Sequence, residues 1–309
     1  MVRFGQPATD PSAPEKAGIG TITLRELLAE GSHGLPLLLD RHLLMLVTGG
    51  HGSSEVDFVT HQCRPGTLIR ARPGQMIRYG AQPGLDAVIL RWSPTVLAGL
   101  AARPVLDGDT GPTHWQLAGE DEDAVINEMS QLVVDCQRHG DAELGAELLR
   151  HQLAVLLLRI ALLPTPQGRP EPAEEAATFQ RFRAEVERTY AQSRRVEEYA
   201  ERIGCVVRTL TRACLAATGR SAKQLLDDRV ALQAMRLLAA TDLPVADVGH
   251  RLGFPEPTNF GRFFQREVGC SPGAFRAALR RPVRVAVPGQ RQPRPADPAV
   301  PRVATRPVR

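Results

Sequence analysis

The chain has 309 residues, of which 43% are hydrophobic and 5% aromatic, and a formal net charge of +4. That length admits two domains with real cores, the scarcity of aromatics argues against a base-stacking platform for single strands, and the longest apolar run, 153–163, is interrupted by Arg159 and too short to span a bilayer. Charge is sorted along the chain: residues 1–163 sum to −6, 164–175 to −2, 176–281 to +7 and 282–309 to +5, so an acidic front precedes a rear suited to a polyanion.

Residues 1–18 are rich in Pro, Ala and Gly and carry no apolar signal segment, so a disordered N-terminus on a cytoplasmic protein is expected. Residues 20–118 read as β structure. Short apolar runs at 43–49, 67–71 and 87–92 are separated by Pro-Gly pairs at 65–66, 73–74 and 83–84, the turn spacing of an antiparallel barrel or sandwich. Two helices follow, over 121–138 and 142–163. In the second, Leu144, Leu148, His151, Val155 and Leu158 form one stripe, with Leu149, Leu153 and Leu156 beside it. A stripe this wide predicts either cover for the barrel or a pairing surface for a second chain.

Residues 164–177 hold several prolines between helical patterns and read as a linker. From 180 to 203 a helical pattern runs to Gly204, where positive φ provides a sharp turn. A short helix then follows from Val207, with Val207, Leu210, Ala213 and Cys214 expected inside. An offset of fifty maps Leu210 onto Phe260, Arg212 onto Arg262, Cys214 onto Phe264, Gly219 onto Gly269 and Ser221 onto Ser271. Upstream the offset is forty-nine, so Gly204 maps onto Gly253 and the second copy has one extra residue in its turn. There Pro257 suits a first helical position. One long helix, opened by Ser221 as N-cap, joins the copies. The pattern predicts two helix-turn-helix units, 196–217 and 245–268, within a domain over 178–281. Residues 282–309 hold prolines and arginines without apolar periodicity, and a disordered tail is expected there.

In each unit the polar side of the second helix is free to meet DNA. Side chains near the start of such a helix reach base edges in the major groove. Arg208, Thr209, Thr211 and Arg212 in the first copy, and Thr258, Asn259 and Arg262 in the second, are the expected base contacts. Lys223, Arg266 and Arg276 are the expected phosphate contacts. Val206 stands where a capping Ser or Thr would help, and Gly261 interrupts the second reading helix. The five cysteines are scattered and read as buried thiols.

The stretch 245–276 closely resembles the AraC/XylS family of bacterial transcription regulators. The likeness rests on Gly253-Phe254, Phe260 and Phe264, Gly269, and the ending Ser271-Pro272 with Phe275-Arg276; residues 196–221 fit the first copy. The resemblance implies an α+β multidomain protein. Its cupin-like β-barrel sensor and dimerisation domain covers 19–163, ending in two helices, and its all-α double helix-turn-helix domain binds promoter DNA. Double-stranded DNA and a second copy of the chain are the expected partners, with RNA polymerase and a small effector as further candidates. Metal-binding cupins use closely spaced histidines, whereas His33, His42, His51 and His61 lie nine or ten residues apart. No metal, cofactor or enzyme activity is expected. Two other readings stay open: a regulator whose barrel only dimerises or binds another protein, and a cupin enzyme with an accessory DNA-binding domain.

Overall fold

The structure is a computed structural model and describes residues 18–29, 36–80, 82, 84–98, 111–139, 142–163 and 173–279. The expected disordered segment at 1–18 lies outside these residues except for Gly18, and the expected tail at 282–309 lies wholly outside them.

The front unit contains β1 (Ile19–Thr23), α1 (Leu24–Ala29), β2 (Leu37–Leu38), β3 (His42–Gly49), β4 (Gly52–Val56), β5 (Val59–Cys63), β6 (Thr67–Ala71), β7 (Met76–Arg78), β8 (Asp86–Trp92) and β9 (His114–Gln116). All strand pairs are antiparallel. They form a five-stranded sheet in the order β1-β8-β3-β6-β9 and a four-stranded sheet in the order β2-β7-β4-β5. The glycine of each Pro-Gly pair has positive φ, at Gly66, Gly74 and Gly84.

The unbroken apolar run in β3 has a structural reason. Leu43, Met45 and Val47 enter the core between the sheets, with Ile69, Ile77 and Ile89. Leu44 and Leu46 point the other way, into a second core formed with α2 (Gly119–His139) and α3 (Glu143–Leu162). A strand buried on both faces needs no polar alternation. The wide stripe of α3 divides in the same manner. Leu149, Leu153, Leu156, Leu157 and Ile160 are buried against the sheet and α2. Leu144, Leu148, Val155, Leu158 and Leu162 remain exposed, Leu144 and Leu162 by more than four-fifths.

The short helix α1 was not evident from apolar spacing. Its start is a capping box: the Thr23 N–H donates to Glu26 Oε2 at 2.9 Å, and the Glu26 N–H donates to Thr23 Oγ1 at 3.2 Å.

The rear unit contains α4 (Ala173–Thr189), α5 (Val196–Arg202), α6 (Val207–Thr218), α7 (Ala222–Ala240), α8 (Val245–Arg251), α9 (Pro257–Val268) and α10 (Pro272–Leu279). Helix α4 begins inside the expected linker, with Glu174 and Glu175 in its first turn, where the helix dipole favours carboxylates. The helical pattern over 180–203 divides into α4 and α5. Between them the Tyr199 hydroxyl donates to the Ser193 carbonyl at 3.0 Å, which folds α5 back so that Tyr199 packs on Phe182.

Helix α7 carries both helix-turn-helix units. Its Ala222 and Leu226 join a core with Phe182, Tyr199, Leu210 and Cys214. Its Val230, Ala234 and Leu238 join a second core with Val248, Leu252, Phe254, Phe260 and Phe264. Ser221 caps α7 as expected, Gln224 completing a capping box that was not foreseen, and Pro257 stands in the first turn of α9. Gly253 (φ 75°) makes the second turn, and a Cβ there would come within 2.4 Å of the Ala191 carbonyl. Val207 corrects the expected core list: it is 37% exposed, because it lies in the first turn of α6 on the outer side, while Leu210, Ala213 and Cys214 are buried.

Candidate nucleic-acid interface

Helices α6 and α9 turn their apolar sides inward. Leu210 and Cys214 in one, and Phe260 and Phe264 in the other, are fully buried. The opposite sides carry the residues expected to read DNA. Arg208, Arg212, Thr258, Asn259 and Arg262 are exposed, while Thr209 and Thr211 are half-buried. Among the described residues, neither Arg208 nor Arg262 has a hydrogen-bond or ion-pair partner. Arg212 Nε lies 2.7 Å from Glu175 Oε1 on α4, so the carboxylate holds the guanidinium across the start of the domain.

Between the two helices runs a concave basic surface. One cleft of about 470 Å³ is lined by Arg194, Lys223, Asp227, Asn259, Arg262 and Arg266, among others. A second, of about 370 Å³, shares Arg194 and Lys223 and adds Arg195, Thr211 and Ser221. Asp227 is the organising group. Its carboxylate pairs with Lys223 one turn back on α7 and with Arg266 Nη2 on α9 at 3.4 Å. A mostly buried carboxylate thus fixes two cations from different helices side by side. Arg266 also lies over the Phe263 ring and reaches Glu267 at 2.6 Å. Arg194 lies 3.3 Å above the Phe254 ring and donates to the Gly253 carbonyl at 2.7 Å.

Arg194 and Arg195 are not among the contacts expected from the sequence, because the helical pattern runs straight through them. Arg276 is placed differently from the other expected phosphate contacts. It is half-buried on α10 and its Nε donates to the Leu238 carbonyl near the end of α7 at 3.2 Å.

Two glycines shape this surface. Gly249 on α8 lets the pair cross closely, since a Cβ there would stand 3.0 Å from Phe260. Gly261 on α9 has open space above it, so no contact within the described residues requires a glycine.

The front unit has a cavity of about 570 Å³ lined by residues that include His51, Ser53, Gln62, Arg64, His114 and Gln116. The His61 ring stacks on His114 at 5.1 Å, and burial, with the neighbouring His114, lowers its pKa. His42 instead stacks on Trp92 in the core, and His33 lies outside the described residues. Among the described residues no three His, Cys, Asp or Glu side chains are grouped to hold a metal ion. Among them, too, no helix is long and apolar enough to cross a membrane.

Residues 199–278 match the family described as "Helix-turn-helix domain". The chain is 27% identical over 275 residues to the HTH-type transcriptional activator RhaR of Klebsiella pneumoniae, covering 87% of this chain and 95% of that protein. Among solved structures, ToxT of Vibrio cholerae covers 86% of this chain and 99% of its own at 11% identity and a TM-score of 0.42. The DNA-binding domain of AdpA, solved with a target DNA, is 34% identical over 36% of this chain and 95% of its own, with a TM-score of 0.30.

Proposed function

The chain belongs to the AraC/XylS family of transcription regulators, and from that premise we propose that it recognises promoter DNA by placing α6 and α9 in successive major grooves. The observation that supports this is the pair of polar helix faces joined by two adjoining basic clefts that share Arg194 and Lys223. Helix α7, about 28 Å long at 1.5 Å per residue, suits units that must meet grooves about 34 Å apart. Arg208, Thr209, Thr211, Arg212, Thr258, Asn259 and Arg262 read bases in this proposal. Lys223 and Arg266 hold phosphate, joined by Arg194 and Arg195. Arg276 is assigned to the end of α7 instead. The protein works in the cytoplasm as a regulator and not as an enzyme, in keeping with the transcriptional activator it resembles over most of its length.

We further propose that the chain pairs with a second copy through α3. Leu144, Leu148, His151, Val155, Leu158 and Leu162 are spaced by four, three, four, three and four residues, the heptad seam of a coiled coil. The spacing is symmetric about position 153, so antiparallel pairing brings Leu144 against the partner's Leu162 and Leu148 against the partner's Leu158. A small polar effector is proposed for the cavity beside His114, whose amide, imidazole and guanidinium groups suit a hydrogen-bonding ligand.

Binding to a duplex pool across a salt series tests the DNA reading. Contact with six to ten phosphates should cost roughly 10³–10⁵ in affinity between 50 and 200 mM salt. A flat response would contradict it. A thermal-shift screen of polar metabolites tests the effector, since a ligand at 100 times its Kd should add about 2.7 kcal/mol to stability.

A further inference from the structure

The two-residue loop between β4 and β5 is built against its own backbone preference. Asp57 and Phe58 both have positive φ, 49° and 67°. A hairpin turn of this kind favours Asn-Gly or Asp-Gly, and a bulky residue at positive φ is uncommon and strained. Both side chains reach the rear unit.

Asp57 Oδ1 accepts from Arg236 Nε at 2.8 Å, and Asp57 Oδ2 accepts from Arg236 Nη2 at 2.6 Å, a two-pronged ion pair onto α7. The side chains are 12% and 7% exposed. The same carboxylate accepts from the Met76 N–H at 2.9 Å and from Gln75 Nε2 at 2.6 Å, which ties it to the barrel. The Phe58 ring meets Phe275 of α10 edge-on at 5.5 Å. Phe275 packs in the same manner on Phe264 at 5.5 Å, and Phe264 lies 5.9 Å from Phe260. The aromatic series therefore runs from the sensor turn into the core that seats α9.

This contact lies behind the DNA-facing surface. Lys223 and Arg236 are thirteen residues apart on α7, which places them roughly 140° apart around its axis. Phe275 approaches α9 from its buried Phe264 side, away from Thr258, Asn259 and Arg262. The turn therefore does not obstruct the reading face.

We propose that the β4–β5 turn is a latch through which the sensor unit buttresses the second helix-turn-helix unit, and that the closed latch is the DNA-competent state. The first unit has its own core around Phe182 and Tyr199, with which, among the described residues, the turn makes no ring contact or ion pair, so the coupling acts on α9 and not on α6. The far end of the same hairpin contributes Gly52, Ser53, Gln62 and Cys63 to the sensor cavity. One two-stranded element thus joins the cavity to the second reading unit.

The proposal rests on the DNA-binding reading, and the test separates the two. The wild-type full chain is used to select a duplex from a random pool. Phe58→Gly removes the ring and creates the favoured Asp-Gly turn, so it should leave the barrel folded. Arg236→Gln is the companion variant. On the selected duplex both should bind at least about fivefold more weakly, the lower end of usual coupling. On a duplex with the α9 half scrambled, both should match wild type. By reciprocity, the selected duplex should slow hydrogen exchange over residues 56–60 in wild type. If Phe58→Gly binds the selected duplex as well as wild type, or better, the latch is overturned. If wild type selects no duplex, the DNA-binding reading fails instead. The latch is then judged by hydrogen exchange of α9 and α10, which Phe58→Gly should speed and which, if unchanged, overturns it.

Discussion

At the scale of single residues, the two reading helices are not equivalent. Arg212 is held by Glu175, whereas Arg262 projects without a protein partner among the described residues. A pre-positioned guanidinium suits two-pronged contact with guanine. Arg212→Ala should therefore cost about 1–3 kcal/mol on the preferred site and relax selectivity at one or two base pairs, measured by selection with the variant. Arg262→Ala should weaken binding more evenly across sequences. The thiols offer an independent check of burial. Burial, with Cys205 nearby, pushes the Cys214 thiol up to about 12, and Cys63, Cys136 and Cys214 are all buried. Alkylation of the native protein should label Cys205 and Cys270 first and reach the other three only on unfolding, as mass spectrometry would show. Glu185 links stability to pH. Burial alone would raise its carboxyl, but hydrogen bonding and charge from Arg188, with Arg202 and Thr189, hold it below the ordinary carboxylate value. Its contribution is complete above that ordinary value and is lost as pH falls through the lowered one. Glu185→Gln should accordingly flatten the acid side of a stability–pH profile.

At the scale of elements, what the sequence made legible was chiefly punctuation. Ser221, Pro257, and the glycines at 66, 74, 204, 219, 253 and 269 mark real ends and turns because each imposes a backbone condition that few residues meet. Continuity was harder to interpret. The pattern through 180–203 shows no interruption, since the fold-back at 190–195 depends on Tyr199 finding the Ser193 carbonyl, a contact absent from local spacing. Arg194 and Arg195 were lost with it. The Thr23–Glu26 capping box is present in the sequence, but α1, at six residues, is too short for apolar spacing to mark the helix it opens. The His61–His114 stack joins residues on strands of different sheets, which no spacing rule reveals. Gly261 provides a test at this level. With open space above it, Gly261→Ala should stabilise the domain by about 1 kcal/mol in urea unfolding. If DNA approaches α9 closely at that position, the same change should weaken binding. A loss of stability would show that the glycine is needed by the fold itself.

At the scale of the whole molecule, the front unit is proposed to pair two chains and to buttress the rear unit. The exposed side of α3 predicts a dimer, and the division of its leucines indicates where to cut. Leu156 is fully buried, so a charge there should unfold the barrel. Leu148→Glu with Leu158→Glu should give folded monomers by sedimentation, because both are exposed by about two-fifths. A folded double variant that remains dimeric would place the interface elsewhere. The charge pattern along the chain has its counterpart here, with an acidic front unit beside a basic rear unit. The central claim is that two reading helices on one connecting helix recognise one DNA site. Selection of the full chain against random duplex DNA tests it most directly. A bipartite motif is predicted, its two blocks centred about 10 base pairs apart, with Arg212→Ala degrading one block while the other persists. Recovery of no enriched sequence, or of a single block that survives changes on both α6 and α9, would contradict the account.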